Sequence, residues 1–265
     1  MTSRRSEMLD QLAVKLADAW TSGKRIALPD PAERPRDRAE AYAVQDRLAA
    51  LIGLPVAGWK AGATSAGMRA RDGQDDIIVG RVFAPQLLAG ADLTLPAAQF
   101  ANTRAEPEFA FVLLADLPAQ QGRSAAEIAP LVSAHIAIEL VASRYAERPP
   151  KGAEGGLLGL ADNASAEALI IGPEIAAPEQ VDFLHHPVTL TVNGGAAAPQ
   201  TPPDIRAAPY AALADVVNHL GARGIGLRAG MAIAVGANTE TLPVSAGCLL
   251  VADFGTLGAI RAVFA

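Results

Sequence analysis

Near the start of the chain apolar residues recur every three or four positions. Leu9, Leu12, Leu16 and Trp20 mark a helix over residues 6–21, and Gly23 follows as a stop. Residues 26–36 are proline-rich and read as a linker. A second helix is predicted from Asp37 to Ile52, with Tyr42, Leu48, Leu51 and Ile52 on its apolar side and Gly53 at its end. Beyond residue 55 the pattern changes to short apolar runs broken by glycine. Strands are predicted at 56–62, 77–83, 104–114, 135–141 and 168–172, with more in the glycine-punctuated segment 225–265. Residues 187–192 followed by Asn193-Gly194 carry a hairpin signal, and 210–221 read as a helix. Two polar stretches, 66–76 (Arg69, Arg71, Asp72, Asp75, Asp76) and the Gly/Pro-rich 146–158, are expected to be a mobile loop and a flexible flap. The pattern divides the chain into a helical region, 1–55, and a strand-rich core, 56–265.

Composition narrows the function classes. The chain has 265 residues, of which 51% are hydrophobic and 19% charged, enough apolar matter for a substantial core. Its net charge of -6 argues against a nucleic-acid partner or an anionic membrane surface. No apolar run is long enough to span a bilayer, and an acidic amphipathic segment follows Met1-Thr2-Ser3-Arg4-Arg5 where a signal core would lie. Cys248 is the only cysteine, so no internal disulfide is possible, and a cytoplasmic protein is expected. No phosphate loop, dinucleotide fingerprint or nucleophile elbow is present. His185, His186 and His219 have no metal-ligand spacing.

The chemistry-bearing stretch is Arg104-Ala105-Glu106-Pro107-Glu108-Phe109. On a strand Glu106 and Glu108 point the same way, joined on that face by Ala110 and Val112. Glu139 is a lone acid in the next apolar run, and Ser124 to Val132 between them reads as a short helix with Ser124 and Glu127 as a capping box. Strand, helix, strand suggests a crossover that brings the two strands together in one sheet. If all three acids meet, each pair repels by about 4 kcal/mol at about 4 Å and an effective dielectric near 20. A trio then needs protons, a basic residue or a hard divalent cation such as Mg²⁺ or Mn²⁺. The alternative is the wet face of an ordinary two-faced strand. Lys60 either packs its stem on Trp59 with its ammonium in water, or serves the acids as a cation or proton carrier. His135 reads as a hydrogen-bonded core or edge histidine. Asp162, Asn163 and Ser165 form either an Asx turn or a substrate-gripping one.

The ordered set Gly58-Trp59-Lys60-Ala61-Gly62, Glu106-Pro107-Glu108-Phe109-Ala110-Phe111-Val112-Leu113, Ala137-Ile138-Glu139-Leu140-Val141-Ala142-Ser143-Arg144, Ala161-Asp162-Asn163-Ala164-Ser165 and Ala252-Asp253-Phe254-Gly255-Thr256-Leu257-Gly258 resembles one family. It is the 2-keto-4-pentenoate hydratase and 2-oxo-3-hexenedioate (4-oxalocrotonate) decarboxylase group of the fumarylacetoacetate hydrolase-like superfamily. The resemblance implies an α+β fold, a mixed β-roll with flanking helices and a small helical N-terminal region, assembled as a homo-oligomer. It implies Mg²⁺ or Mn²⁺ held by Glu106, Glu108 and Glu139, a catalytic Lys60, and a substrate-side turn of Asp162, Asn163 and Ser165. Relatives often carry an acid where this chain has Ile78, which leaves Asp76 as the candidate second acid-base group. Met231, Cys248 and the alanine- and proline-rich 194–209 also depart from the pattern and point to a diverged substrate or a weakened activity. The implied activity is hydration of a 2-hydroxy-2,4-dienoate in aromatic meta-cleavage catabolism, on a small 2-oxo acid. The alternatives are decarboxylation of 2-oxo-3-hexenedioate, or a non-catalytic, metal-stabilised subunit in complex with a pathway enzyme.

Overall fold

Leucines spaced three and four apart give helix α1 (Arg4–Ser22) an apolar stripe, which packs on helix α2 (Arg38–Ile52) through Ala41, Tyr42, Val44 and Leu48. The computed structural model describes residues 4–150 and 152–265, with the Asp72 side chain excepted, so Met1 to Ser3 and Lys151 lie outside the described residues. The ends of α2 follow its sequence. The Asp37 side chain accepts the Glu40 N–H, and Gly53 takes a left-handed φ of 67° while its N–H meets Ala49 O. Helix α5 (Ala153–Ala161) joins the same apolar cluster through Leu158 and Leu160. The wholly buried Gln45 donates to Val79 O and Leu160 O, tying α2 to the strands.

The main sheet runs β2 (Ile78–Phe83), β1 (Val56–Gly62), β9 (Ala232–Ala237), β5 (Arg104–Leu113), β6 (Val132–Val141), β7 (Ala166–Glu174) and β3 (Leu87–Ala89), with β10 (Leu242–Pro243) also paired to β5. A smaller sheet orders β4 (Asp92–Leu95), β12 (Ala259–Phe264), β11 (Leu249–Asp253) and β8 (Thr189–Val192). Both parallel and antiparallel pairs occur, so the fold is the mixed α+β sheet structure expected. One face of the main sheet carries Phe109, Phe111, Ile136, Ile138 and Leu140. They form the principal core with the small sheet and with helix α6 (Pro209–Ala222). The opposite face is lined by small residues, Ala110, Ala137, Ala232 and Ala234. Lys60 Nζ on β1 lies 2.8 Å from Glu139 Oε1 on β6, although β9 and β5 run between them. In a flat sheet that separation would be about 14 Å at the backbone. The sheet must curl toward its alanine face, and short side chains leave the hollow open.

Four expectations are corrected. The two acid-bearing strands are antiparallel neighbours, not a parallel crossover pair; the capping-box helix α4 (Ala125–Ile128) sits in a long return loop. Residues 66–76 are not simply a loop. Helix α3 (Ala66–Asp72) forms there because Ser65 Oγ accepts the Met68 N–H, Met68 is buried, and Gly73 closes the helix at φ 66°. The supposed flap at 146–158 becomes helical from Ala153, because Leu158 is anchored in the helical cluster. The turn at Asn193-Gly194 forms with positive φ at both residues, yet β8 pairs with β11. The proline-rich returning arm contributes only the Ala198 N–H to Leu190 O bond against β8.

Gly58 shows how closely β9 is inserted beside β1, since a Cβ there would stand 2.5 Å from Ala232 O. Gly58→Ala is expected to destabilise the protein by about 1–3 kcal/mol, read as a lowered thermal midpoint; an unchanged midpoint would show this pairing to be loose.

Candidate metal centre

Strand alternation and register build the site. Glu106 sits directly opposite Glu139 across the β5–β6 pair, and Glu108 follows two residues on, on the same face. Carboxylate oxygens of the three residues all lie within 4.8 Å of one another. Glu108 and Glu139 are 1% exposed. The Gly236 N–H donates to Glu108 Oε2 at 2.7 Å and fixes that carboxylate. Lys60, 5% exposed, supplies the ammonium facing Glu139. Neither oxygen of Glu139 takes part in a hydrogen bond of good geometry among the described residues.

The electrostatics follow from burial. Desolvation, then the charge of Glu139, pushes the Glu106 carboxyl up to about 7. Desolvation, with Glu139 and Glu106 adding repulsion, holds Glu108 well above the usual carboxylate range. Desolvation works against the charge on Lys60, but the attraction of Glu139 and Glu106 outweighs it, and its pKa is raised. One ammonium therefore serves three acids. The donor set is all oxygen and hard, two of its members favour protons over bare charge, and Glu139 Oε2 lacks a hydrogen-bond donor among the described residues. A hard divalent cation fits these residues.

The other candidates are placed differently. Asp162, fully buried, accepts the Arg144 Nε–H at 2.6 Å, the Arg144 backbone N–H at 2.8 Å and the Ser143 hydroxyl at 3.1 Å. Asn163 exchanges two 2.8 Å bonds with the backbone of Arg81 on β2. Both side chains are thus engaged in holding the turn, where Asn163, Ala164 and Ser165 have φ of 51°, 53° and 58°. Ser165 reaches a groove at the end of β5 and β6. Asp76 is half exposed, and its carboxylate faces Arg38 at 4.0 Å and His219 at 3.7 Å, not the acid cluster. His135 bonds Ser133 Oγ and Gly172 O, as expected of a structural histidine. Gly236 was not anticipated. Its signal was a glycine inside an apolar strand, which marks close approach of another group; a Cβ there would meet Thr64 Oγ1 at 2.8 Å.

Known proteins carry the same outline. No model of a known protein family matches the chain. A 2-keto-4-pentenoate hydratase of Burkholderia vietnamiensis is 28% identical over 256 residues, 96% of each chain. One from Paraburkholderia phymatum is 28% identical over 259 residues, 97% of each. The chain is thus similar to these hydratases over nearly its whole length. Its fold is that of the 4-oxalocrotonate decarboxylase from Pseudomonas putida G7 complexed with calcium and acetate, with a TM-score of 0.82 over 100% of this chain and 99% of that one at 23% identity. The same decarboxylase complexed with magnesium and adipate gives a TM-score of 0.81. Among the described residues no helix is long and apolar enough to cross a membrane.

Two outcomes are expected. Cation binding must displace the proton on Glu106, so Mg²⁺ or Mn²⁺ affinity should tighten as pH rises through about 7. It should weaken by about fifty-fold from pH 7 to pH 5 on that group alone; flat affinity by calorimetry would refute the ligand set. Asn163→Ala should lower stability by about 1–3 kcal/mol in chemical unfolding while leaving metal affinity intact.

Proposed function

We propose that the protein is a divalent-metal-dependent hydro-lyase that adds water to a 2-hydroxy-2,4-dienoate, a 2-keto-4-pentenoate-like substrate of aromatic meta-cleavage catabolism. The observation that carries this is the trio of half-buried Glu106 and buried Glu108 and Glu139 with Lys60 beside it. The hydratase relatives that match nearly the whole chain support it. The three glutamates would hold the ion, Mg²⁺ or Mn²⁺ by the hardness of their oxygens. When bound, that ion supplies Lewis-acid polarisation of a 2-oxo acid's oxygens.

The chain's own residues do the rest. The Gly236 N–H keeps Glu108 aimed at the hollow. Ala110, Ala137 and Ala234 make a wall too short to fill it and too apolar to hydrogen-bond a competing water. Lys60 is the proton carrier. It is buried, and its ammonium sits at the acid cluster, 2.8 Å from Glu139 Oε1. Positioned proton transfer of this kind contributes about 10² to 10⁴ in rate. Asp76, paired with Arg38 and His219, is not needed for these roles. Decarboxylation of 2-oxo-3-hexenedioate is the second reading, since the same polarised 2-oxo acid can lose a carboxyl group in place of gaining water.

Ultraviolet absorbance of a 2-hydroxypentadienoate should decay with the protein and Mg²⁺ and persist with chelator. Release of CO₂ from the hexenedioate without any hydration of the dienoate would select the second reading. Glu108→Gln is expected to abolish turnover with the fold retained. Lys60→Ala should keep metal binding and lose at least about a hundredfold in rate; an unchanged rate constant would remove Lys60 from the chemistry.

A further inference from the structure

At Pro107, the residue between two of the acids, strand β5 changes partner. It pairs with β9 from Glu108 onward and with β10 at Arg104 and Ala105. Pro107 has a carbonyl but no N–H to offer that edge. The β5–β9 register slips between Glu108 and Ala110, and Gly236, at φ 121°, gives its N–H to the Glu108 carboxylate. Asn238, 4% exposed, takes over at this gap. Its backbone N–H and its side-chain Nδ2 both donate to Pro107 O, at 2.9 Å and 3.2 Å. The other end of the same amide, Oδ1, accepts from Arg206 Nη1 at 2.7 Å. Arg206 also donates through Nη2 to Leu184 O, so its guanidinium is tied down twice. The link between them has to be an amide, because a guanidinium only donates and a backbone carbonyl only accepts.

We propose that Arg206 positions the metal ligands from outside the site: through Asn238 it holds the Pro107 backbone, and with it the spacing and aim of the Glu106 and Glu108 carboxylates on either side. Arg206 is a positioning residue, acting through Asn238 and not on substrate. The inference rests on the reading of the acid trio as a metal centre. The charge on the guanidinium polarises the amide, which makes the Asn238 bond to Pro107 O stronger than one between neutral groups alone. Groups that orient ligands without meeting the ion change metal affinity by about 10- to 100-fold. Arg206 lies within 194–209, the stretch that departs from the family pattern, so this hold on the ligands is a feature of this chain's own sequence.

The test is binding of Mn²⁺ alone, read from the electron paramagnetic resonance signal of the free ion at one pH, with thermal midpoints measured on the same samples. Arg206→Met and Asn238→Leu should each weaken Mn²⁺ binding about tenfold at temperatures where the protein stays folded. Arg206→Lys keeps a charged donor for Asn238 Oδ1 and should recover most of that loss. Because the two residues act as one chain, the double variant should lose no more than either single one. A merely structural role would lower the midpoints and leave Mn²⁺ affinity unchanged; that result overturns the inference, as do losses that add in the double variant. Should Asn238→Leu fail to fold, the contrast between Arg206→Met and Arg206→Lys decides. If the wild type itself does not bind Mn²⁺, the metal-centre reading fails and takes this one with it. Wild-type binding that every variant shares removes the positioning role alone.

Discussion

Three carboxylates packed against one ammonium on a dry, alanine-lined sheet face are the constraint that the rest of the structure serves. Left to themselves, Glu106, Glu108 and Glu139 would repel one another and lose their hydration, and Lys60 can answer only part of that cost. Protons on Glu106 and Glu108 relieve the rest of that cost, and a cation bound there would relieve it in their place. The raised carboxyl pKa of Glu106 and Glu108 and the unmet Oε2 of Glu139 are the same fact in two forms: each is a demand for positive charge, whether proton or cation.

The fold meets this demand by separating its two faces. Large side chains such as Phe109, Phe111, Ile136 and Ile138 go to one face, where the small sheet and α6 cover them. The inner face receives alanines, so the sheet can curl until Lys60 on one strand reaches Glu139 three strands away. Rigidity then comes from buried polar links at the rim. Arg144, just past the end of β6, is bound to Asp162, and Asn163 clamps the backbone of β2.

Chemically, the site is asymmetric. One end offers hard oxygen ligands and a buried amine. The other, one step along β5, opens into water between arginines.

Much of this was written in local pattern. The period of α1, the cap residues Asp37 and Gly53, the Ser124–Glu127 box and the alternation that puts Glu106 and Glu108 on one face depend on neighbours a few residues apart, and so the sequence by itself determined them. The family motifs added the third acid and Lys60. Tertiary structure decided what depends on distance across the fold. It set the antiparallel register that places Glu139 opposite Glu106, the curl that carries Lys60 over two strands, and the folding of 66–72 into a helix around buried Met68. It also turned Asp162 and Asn163 toward Arg144 and Arg81, and placed Asp76 with Arg38 and His219, because ion pairing and burial join residues that no periodicity in the chain connects.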